Sequence, residues 1–242
     1  SNRLIEIVVI TPIPKSIETL VENSILRKAL NKKIVKLFIV NLRDFGIGQY
    51  KKIDDKPYGG FHGMVLMAKP LSQALDHSIN LLGGKQQNIT IIYPSPQGKI
   101  WNQRIALRLS VKTKIIFICG HYKGIDERII EKYVSNEYSI GDFVLTGGEI
   151  PAMLMLDSIV RLVPGTINNI ESAKSDSHYG KLLDHPYYAY PRKIFGSNVP
   201  EVLLSGHHLN IKSWQNSKRE EVTKMKRPDL FDKYEKLIKK DK

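Results

Sequence analysis

Short apolar runs alternate with segments of helical period from residue 4 to residue 165, and this alternation most constrains what the chain can fold into. Residues 4–10 read as a buried strand. Residues 15–30 place Ile17, Leu20, Val21, Ser24 and Ile25 on one helical face, and residues 34–40 form a second strand. A polar stretch from Asn41 to Gly63 shows no period. The pattern then resumes with a helix over Ala68–Leu82, a strand over Ile89–Tyr93, a helix over Ile100–Val111, a strand over Lys114–Cys119 and a helix over Asp126–Val134. Strands alternating with helices imply an α/β fold with a mostly parallel sheet.

The stretch Ser139–Gly165 closes this series. Its apolar run (Ile140, Phe143, Val144, Leu145) has the length of a buried strand, Gly147-Gly148 turns the chain, and a helix apolar on nearly every side runs from Ile150 to Val163. Pro151 suits the first helical turn, Glu149 complements the positive end of the helix dipole, and Pro164-Gly165 ends the helix. A helix apolar all round is expected to be buried, yet Asp157 and Arg161, four residues apart, share a face of it. The Gly-Gly turn is free to take φ > 0 and to let a backbone approach a ligand closely.

Residues 166–179 break the pattern with a polar segment that reads as a linker, so the domains are expected at 1–167 and 179–242 with a linker at 168–178. Beyond it, proline-punctuated stretches lead into weakly amphipathic helices near 207–217 and 228–239. The 242 residues include 42% hydrophobic ones but no apolar run long enough to span a membrane, and the opening LIEIVVI reads as a strand, not a signal peptide. The single cysteine, Cys119, excludes an internal disulfide framework and fits a reducing cytoplasmic compartment. A formal net charge of +13 suggests a polyanionic partner, although a lysine-rich composition bias gives the same figure.

Glycines that would cradle a nucleotide are missing after the first strand, where Thr11-Pro12-Ile13-Pro14 stands. They cluster late instead, at Gly98, at Gly120 and Gly124, and at Gly141, Gly147 and Gly148, each group following a strand. Loops at the carboxyl ends of adjacent parallel strands converge on one crevice, so these three could make a backbone-lined pocket or could merely turn the chain. Asp176, in the linker, reads either as a turn residue or as a general base brought in by an ordering segment. His207-His208 lacks companions at metal-ligand spacing, so no metal site is assigned. Trp214 with Lys212, Lys218 and Arg219 reads either as an aromatic–basic RNA surface or as the anchor of a small core.

Several motifs occur in order: DDKPYGGFHGM (54–64), SPQGKIWNQ (95–103), ICGHYKGIDER (118–128), SIGDFVLTGGEIPAML, DSIVRLVPG (157–165), ESAKSDS, LLDHPYYAYP (182–191), VPEVLLSGHHLNIKSW (199–214) and KRPDLF (226–231). Together they make the chain resemble the bacterial tRNA (guanine-N1)-methyltransferases of the SPOUT class over essentially its whole length. The resemblance implies an α/β domain threaded into a deep trefoil knot, which general topology rules would not lead one to expect. It also implies a small, mainly helical C-terminal domain that grips tRNA, and a homodimer with a shared active site.

The resemblance further implies S-adenosylmethionine bound by Tyr93, Ser95, Pro96, Gly120, Tyr122, Ile140, Gly141, Asp142, Phe143, Val144, Leu145, Gly147, Gly148 and Pro151. Asp176 would take the proton from N1 of the guanosine 3′ to the anticodon (position 37), Arg161 would assist at O6, and Mg²⁺ would support the reaction. The target base would be splayed from the anticodon stem-loop. His121, Lys123, Phe143 and Phe61 stand where such sequences usually carry Arg, Glu, Tyr and Gly, whereas Asp126 and Glu127 keep the usual residues. The competing readings are a knotted RNA-binding protein with weak or no methyl transfer, and an enzyme aimed at another RNA base.

Overall fold

Strand β1 (Ile5–Thr11) is buried on both faces: Ile5, Ile7 and Val9 on one side and Val8 and Ile10 on the other are all shielded from solvent. A strand buried on both faces needs helices above and below its sheet. The computed structural model describes residues 4–22, 24–167, 177–178 and 181–239. It divides into two compact units, Ser1–Ile170 and Glu171–Lys242.

The first unit is built on a five-stranded, all-parallel sheet. Its strands are β1, β2 (Val35–Asn41), β5 (Thr90–Ile100), β6 (Lys114–Ile118) and β7 (Asn136–Ser139), in the order β2-β1-β6-β5-β7. A two-residue antiparallel pair, β3 (Asp54–Asp55) with β4 (Val65–Leu66), brackets the glycine-rich segment 56–64. Helices α3 (Ala68–Leu81) and α5 (Glu127–Tyr133) pack together over one face, where Leu71, Ala74 and Leu75 meet Val8, Ile91 and Ile116. The group formed by α1 (Pro14–Glu22), α2 (Ile25–Asn31), α4 (Gln103–Ser110) and α6 (Glu149–Val160) packs together as a second layer.

Three elements differ from the sequence expectation. Residues 15–30 form two helices, because Ser24 is extended and its hydroxyl donates to the Val21 carbonyl, offering the backbone an alternative to a continuous helix. Strand β5 runs on to Ile100, so the helix expected from that residue begins at Gln103, capped by the Asn102 side chain. The apolar run 140–145 is not a strand. Pairing ends at Ser139, Gly141 adopts φ +153°, and Val144 is left 80% exposed.

In the second unit a short hairpin of β8 (Lys193–Ile194) and β9 (Ser197–Asn198) precedes α7 (Glu201–Leu204), α8 (His208–Lys226) and α9 (Pro228–Ile238). Helix α8 is longer than its sequence period suggested. Buried Thr223 ties it to the preceding segment: its hydroxyl accepts from the Leu183 amide (2.9 Å) and donates to the Arg219 carbonyl (2.6 Å). Trp214 is half-buried, with the His185 and Tyr188 rings 6.1 and 6.4 Å away, which is the arrangement of a core anchor. No helix among the described residues is long and apolar enough to cross a membrane.

Candidate active site

Because β6, β5 and β7 are neighbours, the loops leaving their carboxyl ends open on one crevice. The first loop interrupts β5 itself. Pro94 and Lys99 both lie opposite Tyr138, so Ser95–Gly98 is looped out and the strand resumes its pairing beyond it. Gly98 is required there, since a Cβ would fall 2.5 Å from the Tyr138 amide nitrogen. The second loop, after β6, is stitched to the segment beside β4: Lys123 N–H donates to the Met64 carbonyl, Leu66 N–H to Gly124, and Asp126 N–H to Leu66, each at 3.0 Å. The third, Ile140–Gly148, returns to the second through the Gly148 N–H, which donates to the Gly120 carbonyl at 2.9 Å.

Together these loops wall a cavity of about 670 Å³. Of the fourteen residues expected to bind the cofactor, thirteen line it: Tyr93, Ser95, Pro96, Gly120, Tyr122, Ile140, Gly141, Phe143, Val144, Leu145, Gly147, Gly148 and Pro151. Asp142 does not, and neither does Arg161. Asp176 lies outside the described residues. Sequence reasoning left out Gly63, Met64, Glu127 and Glu137, which also line the cavity. The DDKPYGGFHGM stretch held the signal for the first two, but nothing in it shows that backbone pairing brings it to the loop after β6.

Tyr93 fixes the floor. Its ring fills the space that side chains at Gly120 and Gly124 would occupy, their Cβ atoms falling 2.9 and 3.2 Å from it. Burial, reinforced by the Glu137 charge, pushes its hydroxyl up to about 12, so it stays neutral across ordinary pH. The glycines of the turn act differently from the sequence expectation. Gly148 has φ −81° and Gly147 is not left-handed, so their value is the missing Cβ. At Gly148 that atom would lie 2.8 Å from the Gly120 nitrogen and 2.9 Å from the Cys119 Cα. Cys119 is a buried core residue, its thiol pushed up by burial and then by the nearby Glu149 charge.

Helix α6 begins at the cavity and ends away from it. Pro151 lines the pocket, whereas Arg161 caps the far end, ten residues and roughly 15 Å of helix rise later. The helix is not buried all round: Ile150, Leu154 and Asp157 are exposed and Arg161 is partly so, on one stripe of i, i+4, i+7 and i+11 spacing. Loss of solvation raises the Asp157 carboxyl and the Arg161 charge opposes it. No group of three or more His, Cys, Asp or Glu side chains converges as metal ligands would among the described residues.

Comparison with known proteins bears on this site. The model of the family described as tRNA (Guanine-1)-methyltransferase TrmD matches residues 5–233. A tRNA (guanine-N(1)-)-methyltransferase of Ruminiclostridium cellulolyticum is 44% identical over 225 residues, covering 93% of this chain and 95% of its own length. The protein of the same name from Buchnera aphidicola is 44% identical over 240 residues, 99% of this chain and 89% of its own. That from Clostridium botulinum strain Kyoto is 47% identical over 220 residues, 91% and 89%. With the match running from β1 into α9 and taking in all three pocket loops, the chain belongs to the tRNA (guanine-1)-methyltransferase TrmD family.

Proposed function

We propose that the chain transfers a methyl group from S-adenosylmethionine to N1 of the guanosine 3′-adjacent to the anticodon (position 37) of tRNA. The observation that carries this reading is the cavity, walled by three glycine loops in a chain that belongs to this family. The residues fit the cofactor. The volume is that of a ligand pocket, Gly120, Gly147 and Gly148 leave stretches of its wall as bare backbone, and apolar Phe143, Val144 and Leu145 face it. S-adenosylmethionine, when bound, supplies a methyl group already activated on a sulfonium. No protein nucleophile is needed, and buried Cys119 is not placed to act as one.

The chain's own residues then handle the proton. Guanine N1 is a poor nucleophile while protonated, and the Asp176 carboxylate is assigned the role of accepting that proton, on the motif match alone. As the N1–H bond breaks and the N1–CH₃ bond forms, negative charge passing through O6 is stabilised by the Arg161 guanidinium. Mg²⁺, which the family resemblance implied, finds no protein-built cage among the described residues, and no step is routed through it.

Arg161 sits too far along α6 to reach the cavity of its own subunit, and the same helix exposes Ile150 and Leu154. Both features support a homodimer in which α6 of one subunit delivers Arg161 to a shared site. Crossing from β6 past β5 to β7, then returning to Gly120, is the path expected of a trefoil-knotted chain and supports that threading. The second unit (Glu171–Lys242), which carries Lys212, Lys218 and Arg219 on α8, is assigned to gripping the tRNA. A tRNA substrate and a lone reduced cysteine fit a cytoplasmic setting.

The test is methyl transfer from labelled S-adenosylmethionine to a tRNA transcript with guanosine at the target position, beside one carrying adenosine there. Label is expected on the first alone. Asp176→Asn should abolish it, and Arg161→Ala should lower the rate by about 10²–10³. Label on neither transcript, with tRNA still bound, would favour the RNA-binding reading. Label on both would move the target to another base.

A further inference from the structure

Glu149 takes no part in the chemistry above and does not line the cavity, yet it is only 4% exposed and fully engaged. The Thr11 hydroxyl at the end of β1 donates to its Oε1 at 2.7 Å. His121 Nε2, in the loop after β6, lies 2.7 Å from Oε1 and 2.9 Å from Oε2. A carboxylate only accepts, so this nitrogen is the donor. Three chain segments, Thr11 being 138 residues from Glu149 and His121 being 28, therefore converge on one buried carboxylate.

We infer that Thr11, Glu149 and His121 form a positioning clamp that locks the Gly147-Gly148 turn against Gly120 and thereby sets the affinity for the methyl donor. The clamp lies directly beneath the turn: a Cβ on Gly147 would fall 2.5 Å from Glu149 Oε2 and 2.7 Å from His121 Cε1. The turn is otherwise held to the neighbouring loop by the His121–Gly147 bridge and the Gly148–Gly120 bond. Burying a carboxylate is costly unless it is paired, so the pairing and the closed turn stand or fall together. Burial pushes the Glu149 carboxyl up, but the His121 and Thr11 hydrogen bonds and the His121 charge pull it below the usual range.

The groups facing the carboxylate are Thr11 from β1, His121 from the loop, the buried Cys119 thiol at the end of β6, and the backbone amide of Glu149 itself. Removing any one of the three partners therefore loosens the turn and should lower donor affinity.

This inference rests on the methyltransferase reading, and the test separates the two. The full chain is titrated calorimetrically with S-adenosylhomocysteine. Glu149→Gln should weaken binding about tenfold or more. In turnover it should raise KM for the donor while leaving kcat at saturating donor within about threefold. His121→Ala removes the donor and should weaken binding several-fold, whereas His121→Arg keeps a donor and should hold affinity within about threefold. Thr11→Val should weaken binding by a smaller factor and serves if Glu149→Gln does not fold. Affinity of either Glu149→Gln or His121→Ala within about twofold of wild type would overturn the clamp. No heat with the wild-type chain would sink the methyltransferase reading and the clamp with it.

Discussion

At Gly148 a single methyl group decides whether the pocket closes. The two atoms it would meet, the Gly120 nitrogen and the Cys119 Cα, are both backbone and cannot rotate aside. Gly148→Ala should therefore destabilise the chain by about 1–3 kcal/mol and abolish cofactor binding, as a thermal melt with and without S-adenosylhomocysteine would show. Tyr93 makes a second prediction. Its hydroxyl, ordinarily near 10, is raised to about 12 in the folded chain. Above the ordinary value the unfolded chain has lost a proton that the folded one keeps, so stability is full below about pH 10 and falls as pH rises towards 12. Tyr93→Phe should lose that alkaline component, measured as melting temperature against pH. At this scale the sequence was legible but its reasons were not. Gly147 and Gly148 could be marked as a close-approach turn, whereas two of their neighbours, His121 and the Cys119 backbone, come from a segment whose meeting with the turn no local pattern encodes.

Helix α6 reads in sequence as a core helix, because its apolar residues run all round it. In the folded chain only part of that surface is covered, and Ile150 and Leu154 remain exposed beside Asp157 and Arg161. Hydrophobic periodicity reports how much surface a helix must bury but not whether its own chain or a second copy buries it. Replacing Ile150 and Leu154 by Glu should shift the protein towards monomer in sedimentation velocity and depress methyl transfer, while each monomer retains its fold. The run Ile140–Leu145 departs from its sequence pattern for a related reason. Apolar residues suggest a strand, but Gly141 turns the chain out of the sheet and Phe143, Val144 and Leu145 become pocket wall. Strands β1, β2 and β6, whose burial is settled within the first unit, fell within a residue of expectation.

The whole molecule carries a net charge of +13, while the pocket is walled largely by backbone and apolar groups. Salt should therefore act on the two ligands unequally. Affinity for tRNA should fall roughly a hundredfold or more between about 50 and about 200 mM salt, and affinity for S-adenosylhomocysteine should barely change. Filter binding and calorimetry at matched salt would check both. The path of β5 also has a consequence for the order of events in synthesis. Its looped-out residues 95–98 are fastened at both ends to β7, which is made some forty residues later, and the turn that closes the cavity is made later still. A chain growing on the ribosome therefore carries the residues of its first pocket wall well before anything fixes them in place. The tRNA-modifying machine becomes competent only after most of the first unit has left the tunnel.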